Sequence, residues 1–186
     1  FYDMKGVSGD TVIIDARYLT KAPDGISSTE AGSIWMQFMT AYYPIVELAK
    51  AATGVNILVT AATSTAGYSA LEIGRIKGAT MIGTSRFEHN REYLMQGGAS
   101  HVYIGEGENL PEALQEFTDG VGVHAVFDSI GAGMIAQYAK ALAKNAQLFT
   151  YGTLDEKLPE LPMMELYQAN ATFKPYSLFN YIENAE

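Results

Sequence analysis

The sequence predicts a doubly wound α/β domain with a parallel sheet, because strand-like and helix-like segments alternate along most of its 186 residues. Between residues 56 and 151, short runs of β-branched and apolar residues are separated by longer segments of helical periodicity. Glycines follow several helical segments, at Gly78, Gly97 and Gly120, as they often follow helix C-termini. This pattern favours right-handed helical crossovers, with helices on both faces of the sheet.

Five strands are expected in the order 3-2-1-4-5, and a sixth is expected after them. The five strands are predicted at Asn56 to Thr60, Thr80 to Thr84, His101 to Ile104, Val123 to Asp128 and Ala146 to Tyr151. The helices between them are predicted at Ser64 to Lys77, Phe87 to Gln96, Leu110 to Thr118 and Met134 to Lys144. The apolar stretch Leu161 to Ala169 can form the crossover to a sixth strand at Thr172 to Tyr176.

The residues before the first strand predict one helix and one isolated strand. Apolar residues dominate Ile34 to Ala52, which we expect to form a helix that packs beneath the sheet. Ser27 or Ser28 can cap this helical region, and Pro44 is expected to interrupt it. Thr11 to Asp15 has the composition of a short strand with no sheet to join. We therefore expect it to pack against another domain of a longer protein.

Composition disfavours several classes of partner. The net charge of -9 repels nucleic-acid phosphates and anionic lipid headgroups, so neither is expected to bind. No apolar run reaches the ~20 residues that span a bilayer, and no signal-peptide pattern opens the chain, so we expect a cytoplasmic protein. With no cysteine and only three histidines, the chain is not expected to bind metal. A small molecule is the expected ligand.

The turn after the first predicted strand has the features of a dinucleotide-binding turn. Residues 61 to 67 read Ala-Ala-Thr-Ser-Thr-Ala-Gly, and a helix follows. Small residues let a pyrophosphate approach the backbone, where N-H groups and the positive end of the helix dipole stabilise its charge. Compared with the G-x-G-x-x-G fingerprint, Ala62 and Ser64 replace the first two glycines and Gly67 keeps the third.

The end of the second strand predicts NADP rather than NAD. NAD-binding sheets usually place Asp or Glu there, about 20 residues beyond the glycine turn, to accept hydrogen bonds from the adenosine ribose. Residues 83 to 87 contain no carboxylate, and Ser85 and Arg86 offer donors and a fixed positive charge. These groups suit a 2′-phosphate. The alternative is that Arg86 is a solvated cation, paired with Glu88.

Two further strand ends should lie at the same edge of the sheet. Ser129, Ile130 and Gly131 follow the fourth strand, and Tyr151, Gly152 and Thr153 follow the fifth. The two glycines would let a flat ring and its ribose lie against bare backbone. Taken separately, either turn is also compatible with ordinary turn chemistry.

Two other interpretations remain open. Ser64, between small residues at a strand-to-helix turn, also fits the nucleophile elbow of a serine hydrolase. That mechanism needs a histidine later in the chain, and only His101 and His124 follow at useful distance, both at strand starts on the opposite edge. The second interpretation is a non-catalytic NADPH-binding module, or the reductase domain of a larger multidomain enzyme.

These residues together resemble the medium-chain dehydrogenase/reductase superfamily, and within it the zinc-independent quinone oxidoreductase, or zeta-crystallin, branch. The resemblance is carried by Ala22 to Ser27, Phe38 to Tyr42, Gly97 to Val102 and Asp128 to Gly131. It implies that residues 1–33 are the tail of a GroES-like catalytic domain and linker, and residues 34–186 an NADP-binding Rossmann domain. Met36 stands where zinc-dependent members carry a catalytic cysteine.

The resemblance also implies the cofactor contacts and the activity. The implied neighbours are Thr40, Tyr151, Gly152 and Thr153 for the nicotinamide, Ser64, Thr65, Ala66 and Gly67 for the pyrophosphate turn, Ser85 and Arg86 for the 2′-phosphate, and Ser129, Ile130 and Gly131 for the ribose. The implied reaction is hydride transfer from NADPH to a quinone or enone, by a homodimer formed through the Rossmann domain. No general acid is identified, and the chain alone is expected to be inactive.

Overall fold

The computed structural model describes residues 9–16, 19–157 and 160–182. Its main feature is a six-stranded parallel sheet with the strand order β3-β2-β1-β4-β5-β6. The strands are β1 (Asn56–Val59), β2 (Thr80–Ser85), β3 (His101–Ile104), β4 (Val123–Asp128), β5 (Leu142–Thr150) and β6 (Thr172–Pro175). The predicted order of the first five strands is confirmed, and so is the predicted sixth strand.

Helices cover both faces of the sheet. They are α1 (Ser28–Tyr42), α2 (Thr65–Ile76), α3 (Arg91–Gln96), α4 (Leu110–Phe117), α5 (Ala132–Tyr138), α6 (Met163–Ala169) and α7 (Phe179–Ile182). Successive residues of β1 point to opposite faces, so Ile57 packs with Leu71 of α2 whereas Leu58 packs with Leu114 of α4. These two apolar layers bury the strands on both sides, which confirms the doubly wound Rossmann architecture.

The chain divides into two compact units, residues 1–35 and 36–186, and the second contains the whole sheet. At the start of α1, Ser27 and Glu30 form a capping box, in which the Ser27 N-H donates to Glu30 Oε2 at 2.7 Å and the Glu30 N-H donates to Ser27 Oγ at 3.2 Å. Pro44 lies in a π-helical stretch, Tyr43–Leu48, that follows α1. The helix therefore starts at Ser28, earlier than the predicted Ile34. The α-helix also ends just before Pro44, so the predicted interruption at this proline is confirmed.

The prediction of a strand at Thr11 to Asp15 is wrong. These residues form no strand, and the side chain of Ile13 is fully exposed. A strand requires a neighbour that accepts and donates its backbone hydrogen bonds. Within the described parts of the chain, no strand lies beside this segment, because all six belong to one sheet further along the sequence.

The predicted boundary between the fifth helix and the fifth strand is also wrong. Instead of a helix to Lys144, α5 ends at Tyr138, one 3-10 turn follows at Ala139–Ala141, and β5 begins at Leu142. Alanine and lysine in this region favour a helix, but Leu142 pairs with Val123 of β4. The register then shifts, and Asn145 takes a positive φ of 61°. Pairing with a neighbouring strand here outweighs local helix propensity.

Candidate functional site

The loops that follow β1 to β5 meet at one edge of the sheet and surround a cavity of about 580 Å³. Three residues predicted as cofactor contacts line it: Ser85, Arg86 and Ile130. The cavity is also lined by Ala61, Thr63, Thr84, Phe87, Asn90, Gly105, Glu106, Met134, Leu154 and Asp155. Its volume is typical of small-molecule sites, and its position at the carboxyl ends of the strands is where doubly wound sheets bind ligands.

The turn after β1 is closed by a helix cap. Ser64 is the N-cap of α2, and its hydroxyl accepts a hydrogen bond from the Gly67 N-H at 3.1 Å. Gly67 is buried, and a Cβ there would lie 2.9 Å from both Ala62 Cα and Ser64 Oγ. The turn therefore needs glycine at this position for packing. Of the neighbouring residues, Thr65 is exposed and Ala66 is half-buried at the start of the helix.

The end of β2 places an unpaired arginine at the cavity. Arg86 is exposed, its guanidinium lies 5.5 Å from the Phe87 ring centroid, and it forms no ion pair within the described residues. Glu88, the partner considered for it, binds Arg91 instead, at 2.9 Å between Oε2 and Nη2. That contact lowers the pKa of Glu88. Arg86 is therefore free to bind a ligand anion.

The hydroxyl of Ser85 supports the turn that carries Arg86. Ser85 is buried, and its Oγ accepts hydrogen bonds from the Phe87 N-H at 3.2 Å and from Asn90 Nδ2 at 3.0 Å. Its own proton points to the Phe87 carbonyl at 3.4 Å, which is a weak contact. Ser85 can therefore still donate to a ligand, but shaping the turn is its first role.

The loop after β4 is held by the buried carboxylate of Asp128. The two oxygens of this carboxylate accept hydrogen bonds from Thr60 Oγ1 at 2.6 Å, the Ile130 N-H at 2.9 Å and Tyr138 Oη at 2.9 Å. Burial and the negative charge of Asp128 raise the pKa of Tyr138, so its phenol stays a donor. Gly131 follows with φ of 73°, a conformation that glycine adopts without strain. Sequence reasoning did not identify Thr60 or Tyr138.

Two buried hydroxyls beside this loop, Ser129 Oγ and Tyr151 Oη, make no well-aligned hydrogen bond, although the Tyr151 hydroxyl lies near those of Ser129 and Ser64. The Tyr151 ring stacks on Phe127, with centroids 4.0 Å apart. Burial raises the pKa of Tyr151, and the nearby hydroxyls of Ser129 and Ser64 partly offset this rise. The turns after β1, β4 and β5 thus bring three hydroxyls close together, although Ser64, Ser129 and Tyr151 are far apart in sequence.

Three other residues were predicted to contact the cofactor: Thr40, Gly152 and Thr153. Thr40 lies in α1, and its hydroxyl donates to the Met36 carbonyl at 2.6 Å. Gly152 packs against the loop after β4, since a Cβ there would lie 2.8 Å from the Ser129 carbonyl oxygen. Thr153 is exposed. None of these three lines the cavity.

The sequence interpretation missed two acidic residues at the cavity, Glu106 after β3 and Asp155 after β5. The parallel-sheet pattern itself could have found them, because it places the loop after every strand at this edge. Tyr103, by contrast, stabilises the loop after β3, because its hydroxyl accepts a hydrogen bond from the Gly107 N-H at 3.3 Å. The cavity therefore carries one arginine and two carboxylates.

The histidines do not assemble a hydrolase site with Ser64. His101 stacks on Phe117, with centroids 4.7 Å apart, and His124 Nδ1 accepts the Asn56 N-H at 3.0 Å. Both lie at the amino ends of their strands, on the edge opposite the Ser64 turn. The geometry therefore disfavours the serine hydrolase interpretation.

No group of three or more His, Cys, Asp or Glu side chains within the described residues is arranged to hold a metal ion. No helix in the described ranges is long and apolar enough to cross a membrane.

Comparison with known proteins identifies the family. Residues 65–185 match the family described as zinc-binding dehydrogenases. A mycocerosic acid synthase-like polyketide synthase of Mycobacterium tuberculosis is 32% identical over 145 residues, which cover 77% of this chain and 7% of that protein. Escherichia coli quinone oxidoreductase complexed with NADPH superposes with a TM-score of 0.80 and 24% identity, over 88% of this chain and 50% of that one.

The CurK enoyl reductase has a similar fold, with a TM-score of 0.78 and 23% identity over 91% of this chain and 50% of that one. This chain therefore spans about half the length of the two solved structures and a small part of the polyketide synthase. The family match begins at the first residue of α2 and covers nearly everything that follows. The chain belongs to the zinc-binding dehydrogenase family and is a coenzyme-binding domain of the medium-chain dehydrogenase/reductase superfamily.

Proposed function

We propose that this chain is the coenzyme-binding domain of an NADPH-dependent reductase that transfers hydride to a quinone or to the activated double bond of an enone. The observation that carries the proposal is the cavity at the carboxyl edge of the sheet, where Arg86 has no ion pair among the described residues and Ile130 brings the loop after β4 to the cavity. The family match and the reductases that share the fold support it.

The residues present fit this cofactor. A buried hydroxyl with no hydrogen bond costs up to about 1 to 3 kcal/mol, and the hydroxyls of Ser129 and Tyr151 are buried without a well-aligned one. A ligand with ribose hydroxyls and phosphate oxygens would satisfy both. Arg86 offers the fixed charge that a 2′-phosphate needs, and the N-terminus of the 12-residue α2 offers a positive dipole to the pyrophosphate.

In this proposal the protein binds and orients, because hydride chemistry is supplied by NADPH itself. Arg86 and Ser85 would hold the 2′-phosphate, and Ser64, Thr65, Ala66 and Gly67 would face the pyrophosphate. The loop Ser129 to Gly131 would line the ribose, with Thr40 and Tyr151 to Thr153 toward the nicotinamide. These contacts would fix the orientation of the cofactor and exclude water from it.

The hydroxyls of Ser129 and Tyr151 provide the direct test. We expect Ser129→Ala to weaken NADPH binding about fivefold to twentyfold, because the hydroxyl would bind the cofactor. Its effect on thermal stability should be small, because that hydroxyl makes no well-aligned hydrogen bond within the protein. Tyr151→Phe should behave similarly. Calorimetric titration and thermal melting measure the two effects.

Ser100→Ala is a suitable control, since Ser100 is exposed at the opposite edge of the sheet, just before β3. It should change neither binding nor stability. If Ser129→Ala and Tyr151→Phe bound NADPH as tightly as the wild type, the cofactor would not lie against these hydroxyls and the proposed site would be rejected.

The chain by itself should bind NADPH without turning over quinones or enones. The relatives that share its fold are about twice as long, so much of a substrate cleft would come from other residues. We expect no NADPH oxidation above background when the chain is mixed with a quinone or an enone, followed at 340 nm. Sustained oxidation by this chain would contradict the expectation.

A second candidate is the enoyl reductase domain of a polyketide synthase, favoured by the 32% identity to a mycobacterial synthase. The two candidates differ in substrate, since such a domain would act on an enoyl thioester. A protein containing this domain together with the rest of its reductase would distinguish them. Faster NADPH oxidation with an enoyl thioester than with a quinone would favour the synthase domain.

We further propose that the enzyme works without zinc, as a homodimer in the cytoplasm. Met36 at the position of the catalytic cysteine and the absence of any cysteine support the first statement. The dimer and the compartment rest on the resemblance to quinone oxidoreductases. Metal analysis and sedimentation equilibrium of the intact enzyme would test zinc content and oligomeric state.

A further inference from the structure

Two buried side chains hold three successive backbone amides after β4. The Ser129 N-H donates to Thr60 Oγ1 at 3.1 Å, and the Ile130 N-H donates to Asp128 Oδ1 at 2.9 Å. The Gly131 N-H is shared by the two oxygens of Asp128, at 3.2 Å each. The loop from Ser129 to Gly131 therefore has all its N-H groups directed into the protein.

Thr60 connects the end of β1 to the loop after β4. Its hydroxyl donates to Asp128 Oδ1 at 2.6 Å and accepts from the Ser129 N-H, so one side chain at the end of β1 contacts both the carboxylate and the loop. Thr60 and Asp128 are fully buried. Because no part of either residue is exposed, neither is placed to touch a ligand.

The loop that they hold does reach the ligand site. Ile130 lines the cavity, and Ser129 carries a buried hydroxyl without a well-aligned hydrogen bond. The following backbone is also fixed, because the Leu154 and Asp155 N-H groups donate to the Ser129 and Ile130 carbonyls at 3.0 and 3.1 Å. A shift of the loop would therefore move Ile130, the Ser129 hydroxyl and the β5 turn together.

We infer that Thr60 and Asp128 are positioning residues for the cofactor, which act by fixing the loop Ser129 to Gly131. The inference rests on the proposed function, because it assumes that NADPH binds against this loop. In it, Thr60 contributes to affinity through the Ser129 backbone without contacting NADPH. The Thr60 hydroxyl contacts neither substrate nor cofactor in this inference, yet tight binding of NADPH should require it.

The test compares two buried threonines whose hydroxyls each donate one hydrogen bond and accept one from a backbone N-H. Thr118 is also buried, and its hydroxyl donates to the Leu114 carbonyl at 2.6 Å and accepts the Gly122 N-H at 2.9 Å. It lies beyond the end of α4, near the start of β4 and away from the cavity. Thr60→Val and Thr118→Val should therefore lose similar melting temperature. Only Thr60→Val should weaken NADPH binding, by about tenfold.

Two further measurements separate positioning from stability. Thr60→Ser keeps the hydroxyl and should restore most of the NADPH affinity. Hydrogen exchange at the amides of Ser129, Ile130 and Gly131 should accelerate in Thr60→Val and stay slow in Thr118→Val. If Thr60→Val does not fold, Asp128→Asn provides the second perturbation, because its amide nitrogen cannot accept the Gly131 N-H or the Tyr138 hydroxyl.

The outcomes are distinct. NADPH affinity that is unchanged in Thr60→Val, or equally reduced in both valine variants, would overturn the inference alone. Failure of the wild-type chain to bind NADPH would overturn the proposed function, and the inference with it. Weaker binding confined to Thr60→Val, with faster exchange of the three amides, supports both.

Discussion

Replacing Arg86 by alanine is expected to weaken NADPH binding by roughly tenfold to a hundredfold and to leave NADH binding almost unchanged. A hydrogen bond to a charged group contributes about 1.5 to 3 kcal/mol, and only NADPH carries the 2′-phosphate that would receive it. Arg86 is free to do so, because Glu88 is bound to Arg91. Calorimetric titration of wild type and Arg86→Ala with both cofactors measures the effect.

Arg75→Ala is the matched control, since Arg75 is an exposed arginine in the last turn of α2, away from the cavity. It changes the net charge equally and should change neither affinity. Glu106 and Asp155 would oppose the binding of a dianion, so the expected preference for NADPH requires Arg86 to act against two carboxylates. Equal affinity of the wild type for NADH and NADPH would show that Arg86 does not select the cofactor.

Replacing Asp128 by alanine is expected to cause the largest loss of stability among the substitutions considered. The change leaves the hydroxyls of Thr60 and Tyr138 and the amides of Ile130 and Gly131 without their buried acceptor. Unsatisfied buried groups cost about 1 to 3 kcal/mol each before water enters, so a net loss of about 4 kcal/mol is expected. For a domain of this size, that lowers the melting temperature by roughly 10 °C.

Tyr138→Phe is the graded comparison, because it removes one donor from Asp128 and leaves the loop amides in place. We expect it to cost about 1 kcal/mol. Urea unfolding of both variants gives the two free energies of unfolding. A loss in Asp128→Ala no larger than that in Tyr138→Phe would mean that the carboxylate does not organise the loop.

The sheet could be predicted because its signal is local. Each strand is a short apolar run bounded by turns, and the helices between strands are long enough for parallel crossovers. The predicted strand order follows from this alternation, and it places the loops of Ser64, Arg86, Ser129 and Tyr151 at one edge. The edge of the site was therefore predictable without any tertiary contact.

The predictions of secondary structure were wrong where a segment depends on the strand that lies beside it. Thr11 to Asp15 has strand-like residues but no adjacent strand, whereas Leu142 to Lys144 has helix-forming residues but pairs with β4. The alternative that paired Glu88 with Arg86 is not observed, because Glu88 binds Arg91. Arg91 lies three residues further along a helical turn, where side chains face each other, whereas Arg86 lies in the bend before that turn.

The sequence by itself determined the parallel α/β sheet, the edge at which the candidate cavity lies and the arginine at the end of β2. Each depends on residues close together in the chain. The tertiary structure alone decided the network of Thr60, Asp128 and Tyr138 and the buried hydroxyls of Ser129 and Tyr151. Thr60 and Asp128 are 68 residues apart and meet because β1 and β4 are neighbours in the sheet. Hydrogen bonds between such positions depend on side-chain direction and burial, which no local pattern records.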